Sequence, residues 1–81
     1  MKDYIEVYDD DGKMQIMEAV MTFHLNEYQS NYIIYSELDK SHYYLAKYNN
    51  NDMSDLDTDF EDKEFEKAAN IFNEVVNDAR S

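Results

Sequence analysis

Ser41 and His42 stand side by side, and a serine next to a histidine is the smallest unit from which a nucleophile and its base can be assembled. The chain is expected to run as a strand from His42, and neighbouring side chains on a strand point to opposite faces. On that reading the pair cannot share the hydrogen bond such a dyad requires. A Gly-x-Ser-x-Gly elbow is excluded, since Gly12 is the only glycine. His24 and His42 could each ligate a metal beside a carboxylate. Neither lies in a His-Glu-x-x-His or comparable spacing, and both are read as ordinary strand residues. The chain has no cysteine, so disulfides and thiolate zinc sites are impossible.

The sharpest spacing is Asp55-x-Asp57-x-Asp59, with Glu61 at the seventh place and Glu66 at the twelfth. That is the ligand order of a calcium loop leading into a helix. Phe60 stands where glycine must make the sharp turn, and no helix is predicted before Asp55. The carboxylates are therefore read as a solvated acidic connection that favours the positive end of the following helix. No metal or cofactor is expected, and no enzymatic activity.

The elements that must position these residues follow from periodicity. Residues 4–8 alternate, with Ile5 and Val7 on one face and Tyr4, Glu6 and Tyr8 on the other, as in a half-buried strand. Asp9-Asp10-Asp11-Gly12-Lys13 then makes a turn, with Gly12 supplying a positive φ. Residues 14–25 form a long strand with apolar groups on both faces, so a bulge near Glu18-Ala19 is expected to switch the side that meets the core. Asn26 to Asn31 reads as a polar loop anchored by Tyr28. Residues 32–38 and 42–48 form a second hairpin around Asp39-Lys40-Ser41, crowded with β-branched and aromatic residues. Residues 49–61 are an acidic connection that Leu56 pins to the sheet.

Residues 62–79 are the one helix: Phe65, Ala68, Ala69, Phe72, Val75, Val76 and Ala79 recur at spacings of three and four. Phe60 and Phe65 take hydrophobic-staple positions, and Glu61 with Glu64 forms an imperfect capping box. Arg80 stands at the end where a cation is favourable. The expected fold is a single α+β domain over residues 1–81. A four-stranded antiparallel sheet of two hairpins carries one C-terminal helix on one face.

Charge is the loudest property of the whole chain. Nineteen acidic residues against seven basic ones give a net charge of −12. Such a surface repels nucleic acid and anionic membrane and attracts basic partners. No apolar run approaches the ~18 residues that would span a bilayer, and the N-terminus turns acidic at once, without a signal-peptide pattern. A cytoplasmic protein is expected, a monomer or weak homodimer.

Eight tyrosines punctuate the strands. Most are read as sheet packing, while Tyr32, Tyr44 and Tyr48 are expected on the face the helix leaves open, as an aromatic recognition patch. Together with Asp52, Asp55, Asp57, Asp59, Glu61 and Asp62 they make up the candidate interaction surface.

The chain resembles the small acidic bacterial proteins grouped as domain of unknown function 1292. The likeness covers roughly residues 4–76. It is carried by Asp9-Asp10-Asp11-Gly12 between two strands, by Val20-Met21-Thr22-Phe23, by Tyr32-Ile33-Ile34-Tyr35 and by Ile71-Phe72-Asn73-Glu74-Val75 in the helix. The chain departs from the family in holding Lys13 where an asparagine is common, and Phe65 near the place of an early-helix tryptophan. The resemblance implies one cytoplasmic domain, and it supplies no activity, cofactor or partner to carry over. The expected function is thus a non-enzymatic module that docks on a basic protein or assembly. A DNA mimic, with the eight acids from Asp52 to Glu66 imitating phosphates, is the alternative. A small carboxylate-based enzyme comes third.

Overall fold

The computed structural model describes residues 3–49 and 52–80, with side chains for 3–48 and 56–79. The chain runs β1 (Asp3–Tyr8), β2 (Met14–Leu25), β3 (Ser30–Ser36), β4 (Tyr43–Asn49), β5 (Asp52–Asp57) and α1 (Asp62–Arg80). All five strands form one antiparallel sheet in the order β1-β2-β3-β4-β5, each paired with its neighbour in sequence. The sheet curls into a half-barrel, and β5 comes close to β1 without joining it in a ladder.

The α+β class, the antiparallel sheet and the C-terminal helix are as expected from the sequence, but the sheet has five strands and not four. Part of the expected acidic connection is itself a strand. Lys47 stands opposite Asp57 and Tyr48 opposite Leu56, after which the register shifts so that Asn49 stands opposite Asp52. Leu56 does meet the core, as a strand residue and not as the pin of a loop. The central hairpin is also wider than expected, with β3 ending at Ser36 and β4 beginning at Tyr43.

The first turn is organised by Asp9, whose Oδ1 accepts the N–H groups of Asp11 at 3.0 Å and Lys13 at 2.9 Å. Gly12 sits at φ +81° in the same turn, where a side chain would be strained. In β2 the pairing steps from Ala19↔Tyr35 to Met21↔Ile34, which leaves Val20 as the extra residue of a bulge. Because side chains alternate, one extra residue exchanges the two faces of everything after it. Met17 and Ala19 join the cluster around Ile33, whereas Met21 and Phe23 stand beside Ile34 and Tyr32 on the opposite face.

The two faces have separate cores. On the concave side Ile5, Met17, Ile33, Tyr35 and Ala46 are buried, with Val7, Ala19, Tyr44, Tyr48 and Leu56 packed around them. A cluster that joins β1 to β4 and β5 requires the curl, since those strands would stand far apart in a flat sheet. On the convex side Tyr32, Ile34 and Ser36 are completely buried under α1. Ala68 is the helix residue fully removed from water. Ala69, Ile71, Phe72, Val75 and Val76 are half-buried and Ala79 is exposed, so the apolar stripe is covered only in part.

Candidate functional site

The helix start gathers side chains from β3, β4 and α1 around one carboxylate, that of Glu64. Phe60 and Phe65 meet edge to face with ring centroids 5.6 Å apart, closing the staple expected from their spacing. Glu64 reaches back and accepts the Glu61 N–H at 3.1 Å, as the third helical residue of a capping box does. The same carboxylate accepts the Tyr32 hydroxyl at 2.5 Å and the Lys47 ammonium at 3.3 Å. Tyr32 lies between two aromatic rings, 5.0 Å from Phe23 and 6.0 Å from Phe60 by centroid, and Lys47 Nζ stands 5.3 Å over the Phe60 ring.

Glu64 is 2% exposed. Desolvation disfavours its charge, but the bonds from Tyr32, the Glu61 N–H and Lys47 outweigh it and hold the carboxyl below its ordinary pKa. Burial, then the hydrogen bond to Glu64 and its charge, push the Tyr32 hydroxyl far above its usual value. This knot is structural: each donor already has its acceptor.

Tyr32 therefore is not a surface residue. Expected on the open face, it is fully buried and lies on the helix-covered side with Lys47, its cross-strand neighbour. Tyr44 and Tyr48 belong to the opposite, concave face, where both are half-buried against the core, and Tyr44 stacks on Tyr35 at 5.3 Å. The three tyrosines do not form one patch, because β3 and β4 pair Tyr32 with Lys47 and place Tyr48 opposite Asn31. Of the acidic candidates, Asp57, Asp59, Glu61 and Asp62 are exposed along the chain that leads into α1. Asp57 Oδ1 accepts the Asp59 N–H at 2.9 Å. The side chains of Asp52 and Asp55 lie outside the described residues.

Ser41 and His42 do meet, contrary to the strand argument. Both precede β4, in a turn where Lys40 has φ 63°, so alternation does not separate them. Ser41 Oγ is 3.1 Å from His42 Nδ1, and each is close to the same Glu37 Oε2, at 2.5 and 2.9 Å respectively. The arrangement is a triangle and not a relay. Ser41 donates to Glu37, and the His42 nitrogen near it stands at the same carboxylate, so in this geometry the hydroxyl hydrogen is directed at Glu37 and not at the imidazole. The Ser41 N–H is taken by Asp39 Oδ1 at 3.0 Å. Hydrogen bonds from Ser41 and His42 hold the Glu37 carboxyl below its ordinary pKa. His24 is a strand residue as expected, with Nδ1 2.8 Å from Asn31 Oδ1.

Among the described residues no three histidine or acidic side chains converge as a metal cage would require. What sequence reasoning missed is a surface. On the convex side of β1 and β2, beyond the reach of α1, Tyr4, Tyr8, Met14 and Ile16 are 58%, 57%, 49% and 42% exposed. Leu38 is 54% exposed and lines an open depression with Ile16 and Met17. The signal was present in the alternation of residues 4–8, which puts Tyr4, Glu6 and Tyr8 on one face. A half-buried strand leaves that face open, but the alternation does not say that α1 stops short of it. No family model matches the chain, nor does any curated protein or solved structure.

Proposed function

We propose that this chain is an acidic, non-enzymatic module that binds a protein with a basic surface, acting in the cytoplasm. The observation that carries the reading is how its charges are distributed. The net charge is −12, and three of the few cations are already tied to carboxylates: Lys40 to Glu18, Lys47 to Glu64 and Lys67 to Glu27. The field presented outward is that of the unpaired excess of acids, with Asp57, Asp59, Glu61 and Asp62 exposed in one short stretch. Such a field steers basic partners and repels polyanions.

Catalysis by a carboxyl pair requires one member held protonated near neutral pH. The Glu37, Asp39 and Glu64 carboxyls are each held below their ordinary pKa by hydrogen bonds, the reverse of what the protonated member of such a pair needs. This favours binding over acid–base chemistry.

Affinity capture from a native lysate at low and moderate salt, with mass spectrometry of the retained proteins, tests the reading. A stoichiometric basic protein released by salt is expected, because contacts between exposed charges are screened over roughly 8–10 Å at such ionic strengths. An empty eluate at both salts overturns it.

A further inference from the structure

An antiparallel sheet with one helix across it buries its outer face only where the helix lies. A helix is about 10 Å wide and strands are spaced about 4.8 Å apart, so one helix covers roughly two strands. Here α1 seals the outer face at β3, where Tyr32, Ile34 and Ser36 are fully buried. On the outer face of β1 and the start of β2, Tyr4, Tyr8, Met14 and Ile16 have no such cover, whereas Glu18, opposite Tyr4, is buried and bonded to Lys40. The uncovered residues pair directly across the hairpin, Tyr8 with Met14 and Glu6 with Ile16. An apolar surface with that exposure continues the sheet side of a two-layer packing whose helix side stops short.

We propose that the outer face of the β1–β2 hairpin, formed by Tyr4, Tyr8, Met14 and Ile16 around Glu6, with exposed Leu38 of the β3–β4 turn beside Ile16 in the open depression, seats an amphipathic, lysine- or arginine-bearing helix of a partner protein. The inference rests on the basic-partner reading above and names the face and the occupant. The dimensions fit: Tyr4 to Tyr8 spans about 14 Å of strand at ~3.4 Å per residue. Positions i, i+4 and i+8 of a helix span about 12 Å at 1.5 Å per residue.

The charge also selects the occupant. Glu6 stands within the patch, and exposed Asp10, Asp11 and Asp39 lie at the turns that border it; the cations there are Lys13 at one end and Lys40, whose ammonium is already bonded to Glu18. A helix with apolar residues on one stripe and cations beside it satisfies both features at once. A second copy of this chain does not, since it would press two such acidic borders together at −12 each.

The probe is a synthetic 18-residue amphipathic peptide of leucine and lysine, titrated into ¹⁵N-labelled protein at low salt. Two controls accompany it: a peptide with serine replacing leucine at the same charge, and the triple variant Tyr8→Ser/Ile16→Ser/Leu38→Ser. Amide shifts confined to residues 4–18 and 37–39 are expected. So is binding at least tenfold weaker for the serine peptide, and at least tenfold weaker for the variant with its spectrum otherwise dispersed. Shifts centred on residues 57–62, or equal affinity for the leucine and serine peptides, overturn the assignment of this face while leaving a basic-partner module standing. No binding of either cationic peptide overturns both. Sedimentation showing self-association that the triple variant abolishes would assign the face to a second copy and overturn the proposed occupant.

Discussion

Glu64 holds three donors from three elements: the hydroxyl of β3, the ammonium of β4 and the backbone of the helix start. Removing it strands a buried hydroxyl and a partly buried cation together. Glu64→Ala is therefore expected to cost about 3 kcal/mol, a fall in Tm on the order of 15 °C by thermal denaturation. Tyr32→Phe keeps both ring stacks and deletes one donor, so about 1–2 kcal/mol is expected. Because the folded Glu64 carboxyl is more acidic than its unfolded counterpart, the ionised form stabilises the fold above an unfolded pKa of ~4.3. That contribution disappears as pH falls through the lower folded value. Tyr32 acts in the opposite sense, since its pKa is raised: its contribution is intact below ~10 and is lost progressively as pH rises further. Urea titrations across pH should show both edges in the wild type. The acid edge should shrink in Glu64→Gln and the alkaline edge in Tyr32→Phe; unchanged edges would sink the assignment. The staple and the capping box were legible from spacing alone. The partners of Glu64 on β3 and β4 were not, because sequence separation hides which face of the sheet a helix will choose.

At the scale of elements, the β2 bulge was visible because a strand with apolar groups on both faces must exchange them somewhere. Deleting Val20 removes the exchange and drives Phe23 away from Tyr32, so the variant is expected to lose amide dispersion and cooperative melting. Retention of the wild-type Tm would show that the bulge is dispensable. β5 was not visible. Asp52-Met53-Ser54-Asp55-Leu56-Asp57 is rich in residues that disfavour strands, and what recruits it is a tertiary contact, the seat of Leu56 beside the concave core. Leu56→Ala is expected to cost about 1–2 kcal/mol and to speed hydrogen exchange in β5 more than in β3. Equal acceleration throughout the sheet would mean that β5 is not an independently fraying edge. The Ser41–His42 contact was misjudged for a related reason. Alternation applies within strands, and the hairpin loop turned out to include both residues.

For the molecule as a whole, self-repulsion among nineteen acids outweighs a few ion pairs that are each worth about 1 kcal/mol or less when exposed. Added sodium chloride should therefore raise Tm between low salt and about 0.5 M, where the screening length has dropped to ~4 Å. A falling Tm over that range would mean that the exposed pairs dominate. The same excess was the clearest thing in the sequence. Where the outer apolar surface lies was not, because it depends on where a single helix stops covering the sheet.

The nearest-neighbour order of the strands sets the pace at which this protein can form. Every ladder joins segments adjacent in sequence, so each pairing closes a short loop before the next begins, and only the approach of β5 to β1 spans most of the sheet. Low separation between contacting residues is the property that makes small domains fold quickly. The chain also contains no proline, so isomerisation, which takes tens of seconds or more at 25 °C, has no X-Pro bond to act on. Refolding after a denaturant jump is expected as a single fast exponential that accounts for the full signal change. A minor phase lasting tens of seconds would point to a barrier in closing the curl or in docking α1, whose bonds to Tyr32 and Glu27 join residues 32 and 40 apart in sequence.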